Sequence, residues 1–165
     1  MILRPLDPDS DDFELLTALL HRAYSRLAEM GLNFTATDQD ADTTRERCAE
    51  GECWVAEREG VLVGTIVWGT GGDGHDPAPY REPGVAHFNQ FAVEPALQGT
   101  GIGDSLLAKV EERAREAGYH SMTLDTAEPA AHLIAFYSRR GYDQIATHQW
   151  GDKTYRSVIL SKDLC

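Results

Sequence analysis

The sequence predicts an α/β (α+β) fold, a mixed sheet held between layers of helix, and three observations carry that reading. Apolar residues recur now with the 3.6-residue period of a helix and now with the two-residue period of a strand, so the two kinds of element alternate. The 165 residues, 42% apolar and 25% charged, suffice for one domain with its own core and are too few for two of ordinary size. No internal repeat and no linker-like shift in composition divides the chain, which makes residues 1–165 a single domain.

Residues 2–4 read as a short strand, after which Asp7-Pro8-Asp9-Ser10-Asp11-Asp12 supplies negative charge and capping oxygens for a helix start. Phe13, Leu16, Leu20, Ala23 and Leu27 form one apolar stripe, and Gly31 is a natural stop. Residues 43–50 read as a weaker helix ending at Gly51. Cys53–Glu57 and Val61–Trp68 are rich in β-branched and aromatic residues and flank Arg58-Glu59-Gly60, the pattern of a hairpin. From Gly69 to Gly84 the glycines at 71, 72 and 74 and the prolines at 77, 79 and 83 crowd out regular structure. They leave a loop of about sixteen residues, long enough to serve function.

Val85–Val93 reads as a strand whose strict alternation sends Val85, His87, Asn89, Phe91 and Val93 to one face and Ala86, Phe88, Gln90 and Ala92 to the other. Residues 101–117 read as a helix with Ile102, Leu106, Leu107, Val110 and Ala114 on one face, and Gly118 closes it. A short strand at 122–125, a helix at 129–140 and closing strands at 142–146 and 155–160 complete the order. Trp54, Trp68 and Trp150 are assigned to strands, and Trp150-Gly151-Asp152-Lys153 to a polar hairpin tip.

Acidic residues number 27 against 15 basic ones, for a net charge of -12. Such a surface repels a phosphate backbone, so no nucleic-acid partner is expected, whereas a cationic small molecule or peptide is attracted. The same acidity also aids solubility. Cys48, Cys53 and Cys165 are an odd number without a C-x-x-C pair, which suggests neither a disulfide framework nor a thiolate zinc site and suits a reduced, cytoplasmic setting. The start, Met1-Ile2-Leu3-Arg4-Pro5, runs into acid rather than an apolar stretch, so neither a signal peptide nor a membrane span is expected. His21, His75, His120, His132 and His148 are scattered and form no H-x-x-x-H, so no metal is expected.

The most informative local feature is Gln98-Gly99-Thr100-Gly101-Ile102-Gly103, after a strand and opening an amphipathic helix. Glycines let the backbone approach a ligand, and free N–H groups at a helix start present the positive end of the dipole to it. Phosphate can bind there without basic side chains, which reconciles an anionic ligand with an acidic protein. A P-loop is excluded because Gly103-Asp104-Ser105 lacks the phosphate-reaching lysine. A dinucleotide site finds an acid in Asp125, 22 residues after Gly103. Against it, the spacing is G-x-G-x-G, Asp104 stands where the third glycine belongs, and Glu94 to Gln98 intervene between strand and turn.

The stretch Phe91-Ala92-Val93-Glu94-Pro95-Ala96-Leu97-Gln98-Gly99-Thr100-Gly101-Ile102-Gly103 resembles the coenzyme A motif of the GCN5-related N-acetyltransferases, the GNAT family, with Gln98, Gly101 and Gly103 on its Gln/Arg-x-x-Gly-x-Gly/Ala pattern. Ala135-Phe136-Tyr137-Ser138-Arg139-Arg140-Gly141-Tyr142 is similar to the family's tyrosine-bearing helix and its following Gly-Phe/Tyr pair. The order of elements agrees over essentially the whole chain. The resemblance implies a mixed, mostly antiparallel central sheet of about seven strands flanked by about four helices. It implies acetyl-CoA as cosubstrate, its pyrophosphate on Gln98, Gly99, Thr100, Gly101, Ile102, Gly103 and Asp104, and its pantetheine beside Phe91, Ala92 and Val93. Two positions depart from the family: Ala130 replaces an asparagine that often bonds the pantetheine arm, and Asp104 replaces a basic or hydroxyl residue.

Acetyl transfer to an amine needs a base, an oxyanion donor and a proton for the departing thiolate. Tyr137 is expected to be the acid, since a phenol with pKa near 10 keeps its proton at neutral pH. The backbone N–H of Val93 or a neighbour is the implied oxyanion donor. His87, with an ordinary pKa of about 6.5, suits the base, and some arylalkylamine acetyltransferases carry histidine at a similar position. Glu94 and Asp125 are the carboxylate alternatives, and a histidine merely paired to a neighbour is the structural one. Tyr24, Met30 and Phe34 are candidates to line the acceptor pocket.

The function so implied is transfer of acetyl to a primary amine of a small molecule or peptide by direct attack in a ternary complex. A dinucleotide-dependent oxidoreductase and a non-catalytic acyl-CoA-binding module are the alternatives. Family members often pair through sheet edges, which adds a homodimer to what the resemblance implies.

Overall fold

In the computed structural model, which describes residues 1–71 and 74–165, seven strands join one sheet. They are Ile2–Pro5 (β1), Glu52–Arg58 (β2), Val61–Gly69 (β3), Val85–Val93 (β4), Ser121–Ala127 (β5), Asp143–His148 (β6) and Ser157–Asp163 (β7). Their order is β1-β2-β3-β4-β5-β7-β6, and every neighbouring pair is antiparallel except β4 with β5. A single parallel step is incompatible with the doubly wound parallel sheet of a dinucleotide fold. Five helices flank the sheet: Phe13–Glu29 (α1), Ala41–Ala49 (α2), Ala78–Arg81 (α3), Ile102–Glu116 (α4) and Ala131–Ser138 (α5).

The start of α1 and the end of α4 lie where the sequence places caps, whereas α2 covers Ala41–Ala49 rather than the expected 43–50. Asp12 accepts from the amides of Glu14 and Leu15, and Asp40 from that of Thr43, which satisfies donors a helix start leaves unpaired. Gly118 takes φ +93° just beyond α4, where the Tyr119 amide turns back to Ala114 O.

Leu16 and Leu19 of α1 pack with Cys48, Cys53 and Val67 on one face of the sheet. Leu106 and Val110 of α4 pack with Ile66, Met122, Tyr142 and Leu160 on the other. Each such fully buried side chain contributes about 1.5–3 kcal/mol through the apolar area it removes from water. The result is the three-layer arrangement, with β3 and β4 in its middle.

Three expectations need correction. The proline-glycine loop is not wholly irregular: α3 forms within it after Pro77, and its Tyr80 is buried. Gly72 and Asp73 of that loop lie outside the described residues. Trp150 lies in the β6–β7 connection rather than in a strand. Strict alternation along β4 also fails. The register with β3 runs from Val67↔Asn89 to Thr65↔Ala92, three residues against two, with Gln90 at φ +50°. The extra residue is a β-bulge that exchanges the two faces. Phe88 and Phe91 consequently meet edge to face on the α4 side, while Gln90 and Ala92 turn toward α1 and α2. His87, one residue before Phe88, therefore points to the face opposite Phe91 and Val93.

Candidate active site

A cleft of about 1200 Å³ opens where the sheet comes apart. β4 pairs with β5 only over Val85–His87, against Ser121–Thr123, and beyond that point keeps β3 as its one partner. Its backbone from Phe88 to Val93 thus presents an unpaired edge to the gap. Tyr24 of α1 reaches across to donate to Phe91 O at 2.9 Å, and burial pushes its phenol up to about 12. The cleft runs from the glycine turn at the end of β4 to Gly51 and Trp68 beside its start.

At the turn, Gly99 and Gly101 hold φ of +80° and +93°, conformations that favour glycine. Gly101 is the N-cap of α4 and offers no side-chain acceptor, so the amides of Gly99 through Asp104 donate to no described residue of the protein. Gly103 is different. A Cβ there would lie 3.5 Å from Phe91 Cζ and Val93 Cγ2, ordinary van der Waals contact, so packing does not require glycine at that position. A bare backbone facing the cleft, with free amides at the positive end of a helix, fits a pyrophosphate.

The other turn residues divide between support and contact. Gln98 Nε2 donates to Val93 O at 3.3 Å and ties the turn to the strand. The Thr100 hydroxyl bonds back to Leu97 O, and Ile102 is buried in the core, so only the backbones of these two serve the turn. Asp104 pairs with Arg140, which holds the carboxyl below its usual range and neutralises it beside the amides. Arg140 itself stacks over Phe136, its guanidinium 3.5 Å from the ring centroid. At the start of α5, Ala130 provides no side-chain cap, as its type dictates.

Tyr137 lines the cleft from α5, packed against Phe88, Phe136 and Tyr142 with ring centroids 5.1–5.9 Å away. Burial pushes its phenol well above the usual value, so it is protonated throughout the neutral range. Phe91 and Ala92 also line the cleft, as does Val93 at the strand end.

His87 lies at the opposite end from the turn, on the same wall as Asn89. Its imidazole stacks on Tyr80 at 4.9 Å with planes 3° apart. The Tyr80 hydroxyl donates to Asp125 Oδ1, whose other oxygen accepts from Trp150 Nε1 at 3.0 Å. Burial lowers the His87 pKa below its ordinary value, against the opposing pull of Asp76 and Asp125. The ring is neutral at pH 7 and can accept a proton. Asp125 lines the same cleft, whereas Glu94, the other carboxylate candidate, is held by Arg22 at 2.6 Å outside it. Tyr24 and Phe34 line the cleft; Met30 is exposed elsewhere. Among the described residues no group of three or more His, Cys, Asp and Glu could hold a metal, and no helix is long and apolar enough to cross a membrane.

Sequence reasoning missed Tyr80, Trp150 and Arg47, all of which line the cleft. Tyr80 carried one usable signal: an aromatic between prolines in a loop too long to be a mere connection. Arg47 carried none, being one of two arginines on a weak helix.

The acetyltransferase (GNAT) family pattern matches residues 14–142. The S-(2-succino)cysteine N-acetyltransferase of Bacillus subtilis is 33% identical over 159 residues, covering 93% of this chain and 91% of that protein. The S-alkylcysteine N-acetyltransferase of the same organism is 29% identical over 136 residues, covering 81% and 74%. Among solved structures, yncA of Salmonella typhimurium, determined with its cofactor acetyl-CoA, superposes with a TM-score of 0.71 at 19% identity, covering 99% of this chain and 94% of that one. A glycine turn with free amides, a split between β4 and β5 and a match across most of the sequence agree: the chain belongs to the GNAT family of acetyltransferases.

Proposed function

We propose that this protein transfers an acetyl group from acetyl-CoA to the primary amine of a small molecule or peptide, by direct attack in a ternary complex. The observation that carries the reading is one cleft with unpaired amides at one end and Tyr137 and His87 on its walls. The relatives that act on S-substituted cysteines support a small amine acceptor.

When bound, acetyl-CoA supplies an acetyl carbon activated as a thioester. The turn amides of Gly99–Asp104 hold its anionic end, and the unpaired edge of β4 orients the arm along Phe91 to Val93. His87, neutral through burial, takes the proton that the ammonium must lose before nitrogen can attack. As the C–N bond forms and the C–S bond breaks, the Tyr137 hydroxyl would give its proton to sulfur and regain one from the attacking nitrogen, whose second proton must leave to give the neutral amide. A lysine-like amine with pKa near 10.4 is mostly protonated at neutral pH, so the base is needed to make the nucleophile.

The experiment is thiol release from acetyl-CoA with a panel of amines: S-alkylcysteines, other amino acids, polyamines and short peptides. Turnover with any of them supports the transferase and overturns a pure binding module. Silence across the panel overturns the transferase. Thermal stabilisation by acetyl-CoA and none by NAD is expected of the same cleft.

A further inference from the structure

Among the described residues, eight of the fifteen basic side chains are in ion pairs: Arg4, Arg22, Lys109, Arg113, Arg140, Lys153, Arg156 and Lys162 each meet a carboxylate. In a chain with 27 acidic residues, an arginine without one is informative where it also faces a cleft. Two that form no ion pair among the described residues face the cleft, Arg47 and Arg139. Arg139 follows α5 next to Arg140, whose partner Asp104 opens α4, so it belongs to the phosphate end. Arg47 belongs to the other end. It lies on α2, which leads into Gly51, and Gly51 abuts the carbonyl of Trp68, the residue paired with Phe88 next to His87.

The Arg47 guanidinium is held in place. Its Nη1 donates to Gln39 Oε1 at 2.7 Å. Gln39 is buried and fixed by its other side-chain atom, which donates to Thr44 Oγ1 at 2.7 Å and to Gln90 Oε1 at 2.8 Å. Gln90 is the bulge residue of β4, so the arginine is anchored through two amides to the point where the strand turns its face. A half-buried guanidinium has given up part of its hydration, and a neutral amide returns only part of it. Its remaining N–H groups form a planar fork that matches a carboxylate.

We infer that Arg47 binds a carboxylate of the acceptor, so that the acetylated amine belongs to a free amino acid rather than to a polyamine or a lysine side chain. The inference rests on the transferase reading of the same cleft. Asp125 and Asp76, which line the same cleft, supply the complementary sign for the ammonium. A cleft end with a fixed guanidinium and a carboxylate suits a zwitterion. A purely cationic acceptor would leave Arg47 facing like charge.

The test compares S-benzyl-L-cysteine with 2-(benzylthio)ethylamine, the same amine without its carboxylate, in the wild type, Arg47→Met and Arg47→Lys. The expected result is a wild-type preference for the amino acid. Arg47→Met should lower kcat/KM for the amino acid about 30-fold while changing that for the amine less than about threefold, as loss of a charge-assisted hydrogen bond requires. Arg47→Lys should fall between, keeping the charge without the fork. The inference is overturned if the wild type prefers the amine, if both substrates fall together, or if the variant raises the KM for acetyl-CoA instead. Should no amine release thiol, the transferase reading has failed. Calorimetry of S-benzyl-L-cysteine with wild type and Arg47→Met in the presence of coenzyme A then decides the carboxylate site: tighter wild-type binding upholds it, and equal or absent binding overturns it.

Discussion

The ring of Tyr80 lies flat on the imidazole of His87, centroids 4.9 Å apart and planes 3° from parallel, while its hydroxyl engages Asp125. One residue thereby both dries the histidine and occupies an oxygen of the nearest carboxylate. Both effects act in the same direction. Loss of hydration disfavours the imidazolium, and a hydrogen-bonded Asp125 attracts it less. A short helix in a proline-glycine loop thus sets the ionisation of a group on β4.

The first prediction concerns that ionisation. Because the His87 pKa is lowered, its basic form persists below the ordinary value of about 6.5, and the acidic limb of kcat/KM should fall below that pH. Tyr80→Ala admits water and frees Asp125, so the limb should move up toward 6.5. In His87→Ala the limb should vanish, leaving the ionisation of the amine common to all three proteins. A limb unmoved in both variants would assign it to another group.

Tyr137 is tested by removing one oxygen. Tyr137→Phe retains the ring contacts with Phe88, Phe136 and Tyr142, so folding should be unchanged. As an acid the hydroxyl acts only when sulfur departs, and kcat should fall by about 100-fold with little change in the Kd for acetyl-CoA. A fall in kcat of less than about threefold would remove Tyr137 from the reaction.

The contrast between residues read correctly and those missed follows the range of the interactions. The cap at Asp12, the apolar stripe of α1 and the glycine turn are set by neighbours within a few residues, and each was visible in sequence. The bulge at Gln90 was not. It is supported by Gln39, 51 positions away, and it reverses the faces on which His87 and Phe91 project. Asp104 was legible as a departure from the basic or hydroxyl residue that the family resemblance implies, but its neutralisation by Arg140, 36 residues later, needed the packing of α5 on α4. Arg47 acquires meaning only from facing the cleft with a neutral amide and no carboxylate partner among the described residues, which no sequence displays.

The Asp104–Arg140 pair gives the next prediction. With the carboxylate present, Arg140 is committed to it; Asp104→Asn removes the negative charge beside the turn amides and frees the guanidinium. Acetyl-CoA should then bind about threefold more tightly at low salt, an advantage that shrinks at high salt because Asp104 is largely exposed and its charge is screened. Weaker binding in Asp104→Asn would mean that the ion pair positions Arg140 rather than restraining it.

Gly101 and Gly103 separate backbone demand from ligand demand. At Gly101 the φ of +93° strains any side chain, so Gly101→Ala should destabilise the fold by about 1–2 kcal/mol. Gly103 sits in the first turn of α4 with ordinary backbone angles, and an added methyl would meet Phe91 and Val93 only at 3.5 Å. Alanine favours helix more than glycine does, so Gly103→Ala should leave the Tm unchanged or raise it slightly. The methyl nevertheless intrudes where a pyrophosphate would approach the amides, and KM for acetyl-CoA should rise about tenfold or more. The two variants therefore move in opposite senses, one losing stability and the other affinity. A Gly103→Ala protein that binds acetyl-CoA as the wild type does would show that the turn is shaped for the helix alone, and the pyrophosphate would have to be sought elsewhere in the cleft.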